Sequence, residues 1–358
     1  MIWIWIGFVS LVMGLLALDL GVFHRKAHVV SAREAMGWSA VWITLSLCFA
    51  VFVYFGYENQ WLGMGSTVDA VDGLVNDGHN AVLKYLTGYV VELSLSVDNV
   101  FVIALIFSFF AVPAIYQHRV LFWGIVGAQV LRGVMILAGA KLVAEFHWVL
   151  YLFGLFLVIT GLRMLLPGDS DPDPANNPVI RFVRRFFPVT ARFHGEHFVV
   201  RAGSPESRMA ALPGQTEQVD EVVARARPGT LLLTPLALTL VIVETTDVVF
   251  AVDSIPAIFA ITADPFLVFT SNVFAILGLR SFYFALASML DSFRFLKLSL
   301  ALVLLVVGGK MLAGEWLQTL LGHNFNLYLL AAVVGILGSG VIASMLFKVE
   351  ETPAEPKP

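Results

Sequence analysis

Residues 88–101 read GYVVELSLSVDNVF, and residues 241–256 read VIVETTDVVFAVDSIP. Each stretch sits in an apolar run long enough to cross a bilayer, and each carries acids where lipid should be. An Asp at the centre of a membrane helix costs roughly 2.5–3.5 kcal/mol on the insertion scale. Glu92 and Asp98 in the first stretch, and Glu244, Asp247 and Asp253 in the second, are therefore candidates for function. Placing Asp98 on Asp253 also places Glu92 on Asp247, so the two stretches align as copies.

The match extends outward. The next apolar run after each stretch carries a Leu-Arg pair, Leu131-Arg132 and Leu279-Arg280. The run after that ends GLFLVITGLRML (154–165) in one copy and ALVLLVVGGKML (301–312) in the other. Each copy has three spans, and an odd number reverses the direction of the next copy, so the repeats must be inverted in the membrane. Inverted repeats with polar helices at matching positions point to a transporter site near the bilayer midplane.

Composition agrees. The 358 residues are 58% hydrophobic and only 13% charged, against about 25% charged in soluble domains. A bilayer core needs roughly 20 apolar residues per helix. Nine runs qualify, at about 2–23, 36–56, 82–110, 120–143, 146–166, 231–262, 266–290, 296–313 and 324–347. The N-terminal run lacks a basic flank and a small-residue cleavage site, so it reads as a retained span and not a signal peptide. The single cysteine, Cys48, excludes a disulfide framework or thiolate cluster. With the N-terminus outside and the C-terminus inside, 17 of the 22 Lys and Arg residues fall on the inner side. Lys84, Lys141 and Lys310 fall outside, and Arg132 and Arg280 within spans. That partition follows the positive-inside rule, and the outer loop 57–80 is acidic instead. The loop 167–229 reads as a polar linker, basic in RFVRRFF, with a membrane-surface face and a short helix within Thr216–Ala226.

The intramembrane charges do not balance by pairing alone. Five carboxylates against Arg132 and Arg280 leave three to be protonated or met by a cation. At about 100° per residue, Glu92 and Asn99 share a helix face, Glu92 and Asp98 stand about 120° apart, and Glu244 and Asp253 point oppositely. A straight helix cannot aim all of these at one ion, so the sequence predicts local unwinding at Asp98-Asn99 and Asp253-Ser254. Pro256 would help by freeing the Val252 carbonyl. Carboxylate, carbonyl and amide oxygens suit manganese, magnesium and calcium. All eight histidines lie in loops or at span ends, and no HExxH or Cys/His cluster appears, which disfavours zinc or copper. Asn272, in the seventh run, is a further candidate for the same cavity, and Asp19, near the end of the first, for a gate.

ELSLSVDNVFV (92–102) and VETTDVVFAVDSIPAIFAIT (243–262), followed by TSNVFAILGLRSFYF (270–284), closely resemble the TerC family, in particular its Alx-like branch. The resemblance covers nearly the whole chain. It implies a membrane protein of a family named for tellurium resistance, whose members look like manganese exporters, some linked to metal supply for exported enzymes. The family's acidic positions fall on Glu92, Asp98, Glu244, Asp247 and Asp253. The segment around Ser204–Arg227 is longer than the family pattern, which bears on regulation and partners.

The resulting expectation is an all-α, polytopic membrane helix bundle of about nine transmembrane helices with two inverted three-helix repeats. Its parts are an N-terminal two-helix segment (1–81), the first repeat (82–166), a cytoplasmic loop (167–229), the second repeat (230–313), and the last helix with a C-terminal tail (314–358). The expected function is export of manganese, or a similar hard divalent cation, from the inner (plasma) membrane. Asp98 and Asp253 would be core ligands. Glu92, Asn99, Glu244, Asp247 and Ser254 would complete the metal site, and Arg132 and Arg280 would tune it. The expected partners are a divalent metal ion and the lipid bilayer, with no nucleic acid and no permanently bound cofactor; a homo-oligomer or an exported-protein partner stays open. The alternative is a metal-delivery scaffold that supplies exported enzymes. An enzyme is not expected, since no GxSxG, GxGD or HExxH string is present.

Overall fold

The computed structural model describes residues 2–18, 31–146, 148–165, 178–208, 220–287, 295–313, 316–317 and 325–346. The helices are α1 (Ile2–Leu18), α2 (Ala32–Glu58), α3 (Gly78–Phe109), α4 (Ala114–Glu145), α5 (Trp148–Leu165), α6 (Pro178–Phe186), α7 (Glu221–Arg225), α8 (Pro235–Phe259), α9 (Pro265–Ala287), α10 (Leu296–Leu312) and α11 (Phe325–Leu346). The nine long ones coincide with the nine apolar runs. Six are long and apolar enough to cross a membrane, and α1 and part of α10 are shorter apolar helices. The remaining long helix, α3, has 32 residues and carries Lys84, Glu92 and Asp98 along its length.

Side-chain chemistry sets the boundaries. Ser31 caps α2 by accepting from the Glu34 N–H, and Asp77 caps α3 by accepting from the Asn80 N–H. Thr234 caps α8, with Pro235 at its first turn. The sixth run therefore starts later than its hydropathy suggests. Residues Leu231–Leu233 form strand β2, paired antiparallel with β1 (Val199–Arg201). The predicted short helix within 216–226 is α7, capped by Asp220.

The repeats interlock. α3 packs on α9, α4 on α8, and α5 on α10. Exchanging the copies maps each of these pairings onto another in the set, as a pseudo-twofold axis requires. Close approaches give the directions. A Cβ on Gly154 would lie 3.2 Å from the Gly308 carbonyl, and one on Gly161 2.9 Å from the Ala301 carbonyl, so α5 and α10 run antiparallel. Gly161 and Gly308 are repeat equivalents, as are Gly154 and Ala301, so one contact is the symmetry copy of the other. Small residues let the two backbones approach this closely. On α4 and α9, Gln129 reaches the Val273 carbonyl and Gly133 faces Phe269, again antiparallel. The expected inversion of the repeats is present.

Burial follows the packing. In α9, 89% of its spanning window is buried, whereas α5 and α11 bury only 22% of theirs. α9 is thus a central strut, and α5 and α11 keep wide lipid-facing sides. α1 buries only Ile4, Phe8, Val12 and Leu16, a single stripe at i, i+4 spacing. Its Phe8 meets Phe49, Phe266, Phe269 and Phe274.

The predicted unwinding is not found. α3 is helical through Asp98-Asn99, and α8 is helical through Val252–Pro256. Pro256 lies in the last turn of α8. It removes one rung of the ladder there and leaves little helix beyond it to kink.

Candidate functional site

Three helical residues, Glu92, Asp247 and Ser254, meet at the guanidinium of Arg132. Arg132 in α4 is 1% exposed, and Glu92 in α3 is fully buried. Arg132 grips Asp247 of α8 with a two-pronged fork, Nε to Oδ2 at 3.1 Å and Nη2 to Oδ1 at 2.9 Å. Its Nη1 donates to Glu92 Oε1 and, at 3.1 Å, to Ser254 Oγ. Asp247 and Ser254 are two helical turns apart, so both face α4. Structural pairing, the plainer reading of these charges, therefore holds for Glu92 and Asp247. Among the described residues it does not extend to Glu244, whose Oε2 has no hydrogen-bond partner.

Glu244 is one turn before Asp247 and points at Gly127 of α4, where an added Cβ would meet its Oε1 at 1.9 Å. Only the absence of a side chain at 127 makes room for this carboxylate. Glu92 Oε2, Glu244 Oε2 and Asn99 Oδ1 are buried without a hydrogen-bond partner among the described residues. Three unsatisfied hard oxygens on neighbouring membrane helices are unusual, because each buried orphan costs about 1–3 kcal/mol. A cleft of about 390 Å³, counting its open mouth, adjoins the group. Its polar lining is Asn99, Thr246 and Asp247, from α3 and α8. Among the described residues, no three His, Cys, Asp or Glu side chains form a ready-made metal cluster. Arg132 stands between Glu92 and Asp247 instead.

The remaining predicted residues divide. Asp98 and Asp253 have backbones inside α3 and α8, next to Asn99 and Ser254, but their side chains fall outside the described set. Asp19 also lies outside the described residues. Asn272 is buried in α9 and does not line the cleft, to which α9 contributes Ile276 and Leu279. Arg280, the repeat counterpart of Arg132, is buried in α9.

Sequence reasoning missed Gly127, Thr246 and a second polar group at the opposite end of α3. There the buried Lys84 donates to Asp69 at 2.9 Å and Asn76 at 2.6 Å, and pairs with Asp72 at 2.7 Å. Asp69 also accepts from the Thr262 hydroxyl and, at 2.9 Å, from the Ala263 N–H. One carboxylate thus ties the 59–77 loop to the α8–α9 link. Nearby, the Tyr57 O–H donates to Asp264 at 2.8 Å. Burial pushes the Asp69 carboxyl up, but the Lys84 charge and these hydrogen bonds outweigh it and hold it below the usual range. Burial pushes Asp264 above that range. The signal available in sequence was a lysine at the head of a span facing an acidic loop.

The model of the integral membrane protein TerC family matches residues 77–352, which include every helix of both repeats. The chain belongs to the TerC family. An uncharacterized membrane protein of Myxococcus xanthus is 42% identical over 343 residues, covering 96% of this chain and 92% of that protein. A protein of Photorhabdus laumondii named "Putative membrane-bound redox modulator Alx" is 40% identical over 343 residues, 96% of this chain and 94% of its own length. The Escherichia coli K12 protein of the same name is 42% identical over 311 residues, 86% of this TerC chain and 85% of that one. No solved structure matches. The Alx-like resemblance read from the motifs is thereby confirmed.

Proposed function

We propose that this TerC protein exports manganese, or a similar hard divalent cation, through the carboxylate site between α3, α4 and α8. The inner (plasma) membrane, with the N-terminus outside and the C-terminus cytoplasmic, is part of the proposal. The observation that carries it is the convergence of Glu92 and Asp247, repeat-equivalent acids from antiparallel helices, on the single guanidinium of Arg132. In this reading Arg132 is the counter-charge of the acids before the ion binds. A divalent ion binds as Glu92 and Asp247 turn from the guanidinium to the metal, joined by Glu244 and Asn99, whose buried oxygens have no hydrogen-bond partner among the described residues. The donors are all oxygen, the set that manganese, magnesium and calcium prefer. Asp98, Asp253 and Ser254 complete the proposed set, with Asn272, Arg280 and Asp19 as outlying candidates for cavity, tuning and gate.

Redox modulation belongs to the names of relatives. Thiol exchange within this chain would need two cysteines, and it has only Cys48. A metal exporter could alter redox balance indirectly by setting the level of a redox-active ion.

Purified protein in liposomes loaded with a manganese-sensitive dye tests the reading. Inward or outward manganese flux that Glu92→Gln and Asp247→Asn abolish is the expected result. No flux above that of empty liposomes, together with stable complexes to exported enzymes, would favour the metal-delivery scaffold instead. Proton coupling is proposed from the surplus acids, and flux that ignores an imposed pH gradient would exclude it.

A further inference from the structure

The segment PVIRFVRRF forms α6, and it is followed by Phe187. Its nine residues give a helix of about 14 Å, far too short to cross a core of about 30 Å. Val183 is buried in the cluster that holds Phe107 at the end of α3, Tyr116 at the start of α4 and Leu236 at the start of α8. α6 is therefore pinned at the end of the bundle, at the level where the membrane helices meet water. Measured from Val183, Phe182 and Phe186 lie to one side at about 100° and 60°, and Arg181 and Arg185 lie on the far side at about 160°. Phe182 and Phe186 are 62% and 61% exposed, with their ring centroids 4.7 Å apart and tilted at 50°, and Phe187 beside them is also exposed. Arg181 and Arg185 are exposed as well.

A pair of solvent-exposed phenylalanines backed by arginines has one natural occupant at this level. We propose that α6 lies in the membrane–water interface of the bilayer that holds the bundle. Phe182 and Phe186 insert among acyl chains, while Arg181 and Arg185 engage the phosphates of anionic lipids. Three observations select lipid over a protein partner. The helix is anchored beside spanning helices that are already in lipid, its apolar side is aromatic, as interfacial helices prefer, and its polar side is cationic. On the orientation proposed above, this is the cytoplasmic leaflet. The inference does not depend on what the protein transports.

The test uses the full chain in nanodiscs, in a Cys48→Ser background, with a nitroxide label at Phe182→Cys or at Arg185→Cys. Both positions are surface-exposed, so both variants keep the Val183 anchor. Collision with dissolved oxygen reports immersion in lipid, and collision with a water-soluble nickel chelate reports exposure. With phosphatidylcholine plus phosphatidylglycerol, the label at 182 should favour oxygen and the label at 185 the nickel chelate. Each arginine near an anionic surface is worth about fivefold in binding, so Arg181→Gln with Arg185→Gln should shift the immersed-to-exposed ratio at 182 by roughly thirty-fold. Nanodiscs of phosphatidylcholine alone should produce a shift in the same direction with the arginines intact. Equal nickel access at 182 and 185 in both lipids would overturn the proposal. Immersion at 182 that ignores both lipid charge and the arginine substitutions would overturn its anionic-lipid half.

Discussion

At the scale of single residues, Arg132 is the position on which the site turns. Removing its charge leaves Glu92 buried without its counter-ion, and breaking a buried pair in this way costs about 3–5 kcal/mol. Arg132→Gln should therefore lower thermal stability in detergent. If a divalent ion takes the place of the guanidinium, added manganese should raise the midpoint of the variant more than that of the wild type. Equal shifts would mean that the ion binds elsewhere. Gly127→Ala is a subtler probe, because its methyl would meet the Glu244 carboxylate. Such overpacking typically costs about 1–3 kcal/mol, and manganese flux should fall further than that loss of stability explains. Glu92 and Asp247 were legible in the sequence because a charge in an apolar run stands out. Gly127 was not, because a glycine in such a run looks like any other packing residue until the carboxylate opposite it is located. The direct Arg132–Asp247 fork was foreseen only as the plainer rival to ion binding, since spacing alone does not say which charges across three helices will touch.

At the scale of elements, the α5–α10 seam depends on three glycines, Gly154, Gly161 and Gly308. A Cβ on Gly308 would sit 2.9 Å from the Gly154 carbonyl and 3.0 Å from Leu157. Gly308→Val should push the helices apart and destabilise the protein by at least about 1–3 kcal/mol, measured as a lower melting midpoint. The 59–77 loop responds to pH instead. The Asp69 carboxyl is held below its ordinary value of about 3.9, so its contribution is complete above that value and is lost as pH falls through the lowered folded one. Asp264, raised by burial, works with the opposite sign, so the difference between wild type and Asp69→Asn isolates the effect. At neutral pH, Asp69→Asn should cost about 1.5–3 kcal/mol, as expected for hydrogen bonds to a charged group, and it should speed proteolysis within 59–77. Acidification below about pH 4 should narrow the gap between the two proteins. The long helices were readable from hydropathy to within a few residues. Hydropathy assigns Leu231–Leu233 to the helix, because a three-residue strand is too short to show alternation. The supposed break near Pro256 failed because the proline falls in the terminal turn of α8, where the helix was about to end.

At the scale of the whole molecule, the repeats do not stand side by side as separable halves. The first helix of each is packed on the second helix of the other, and the third helices are packed together. The inversion was legible from an odd number of spans per copy, but the interlacing was not, because apolar runs carry no record of which neighbour each helix chooses. Expressed as two fragments, 1–214 and 215–358, each half should be degraded alone and recovered when both are made together. Survival of either fragment alone at the level of the pair would show that a single repeat has its own stable core. The interlacing also has a consequence for synthesis. Glu92 and Arg132 both belong to the half that leaves the ribosome first, and they touch each other directly. The nascent half can therefore enter lipid with these two charges already cancelled, before any of the second half exists. Asp247, emerging more than a hundred residues later, finds a guanidinium already in place to receive it, so the order of synthesis spares these two acids a period alone in hydrocarbon.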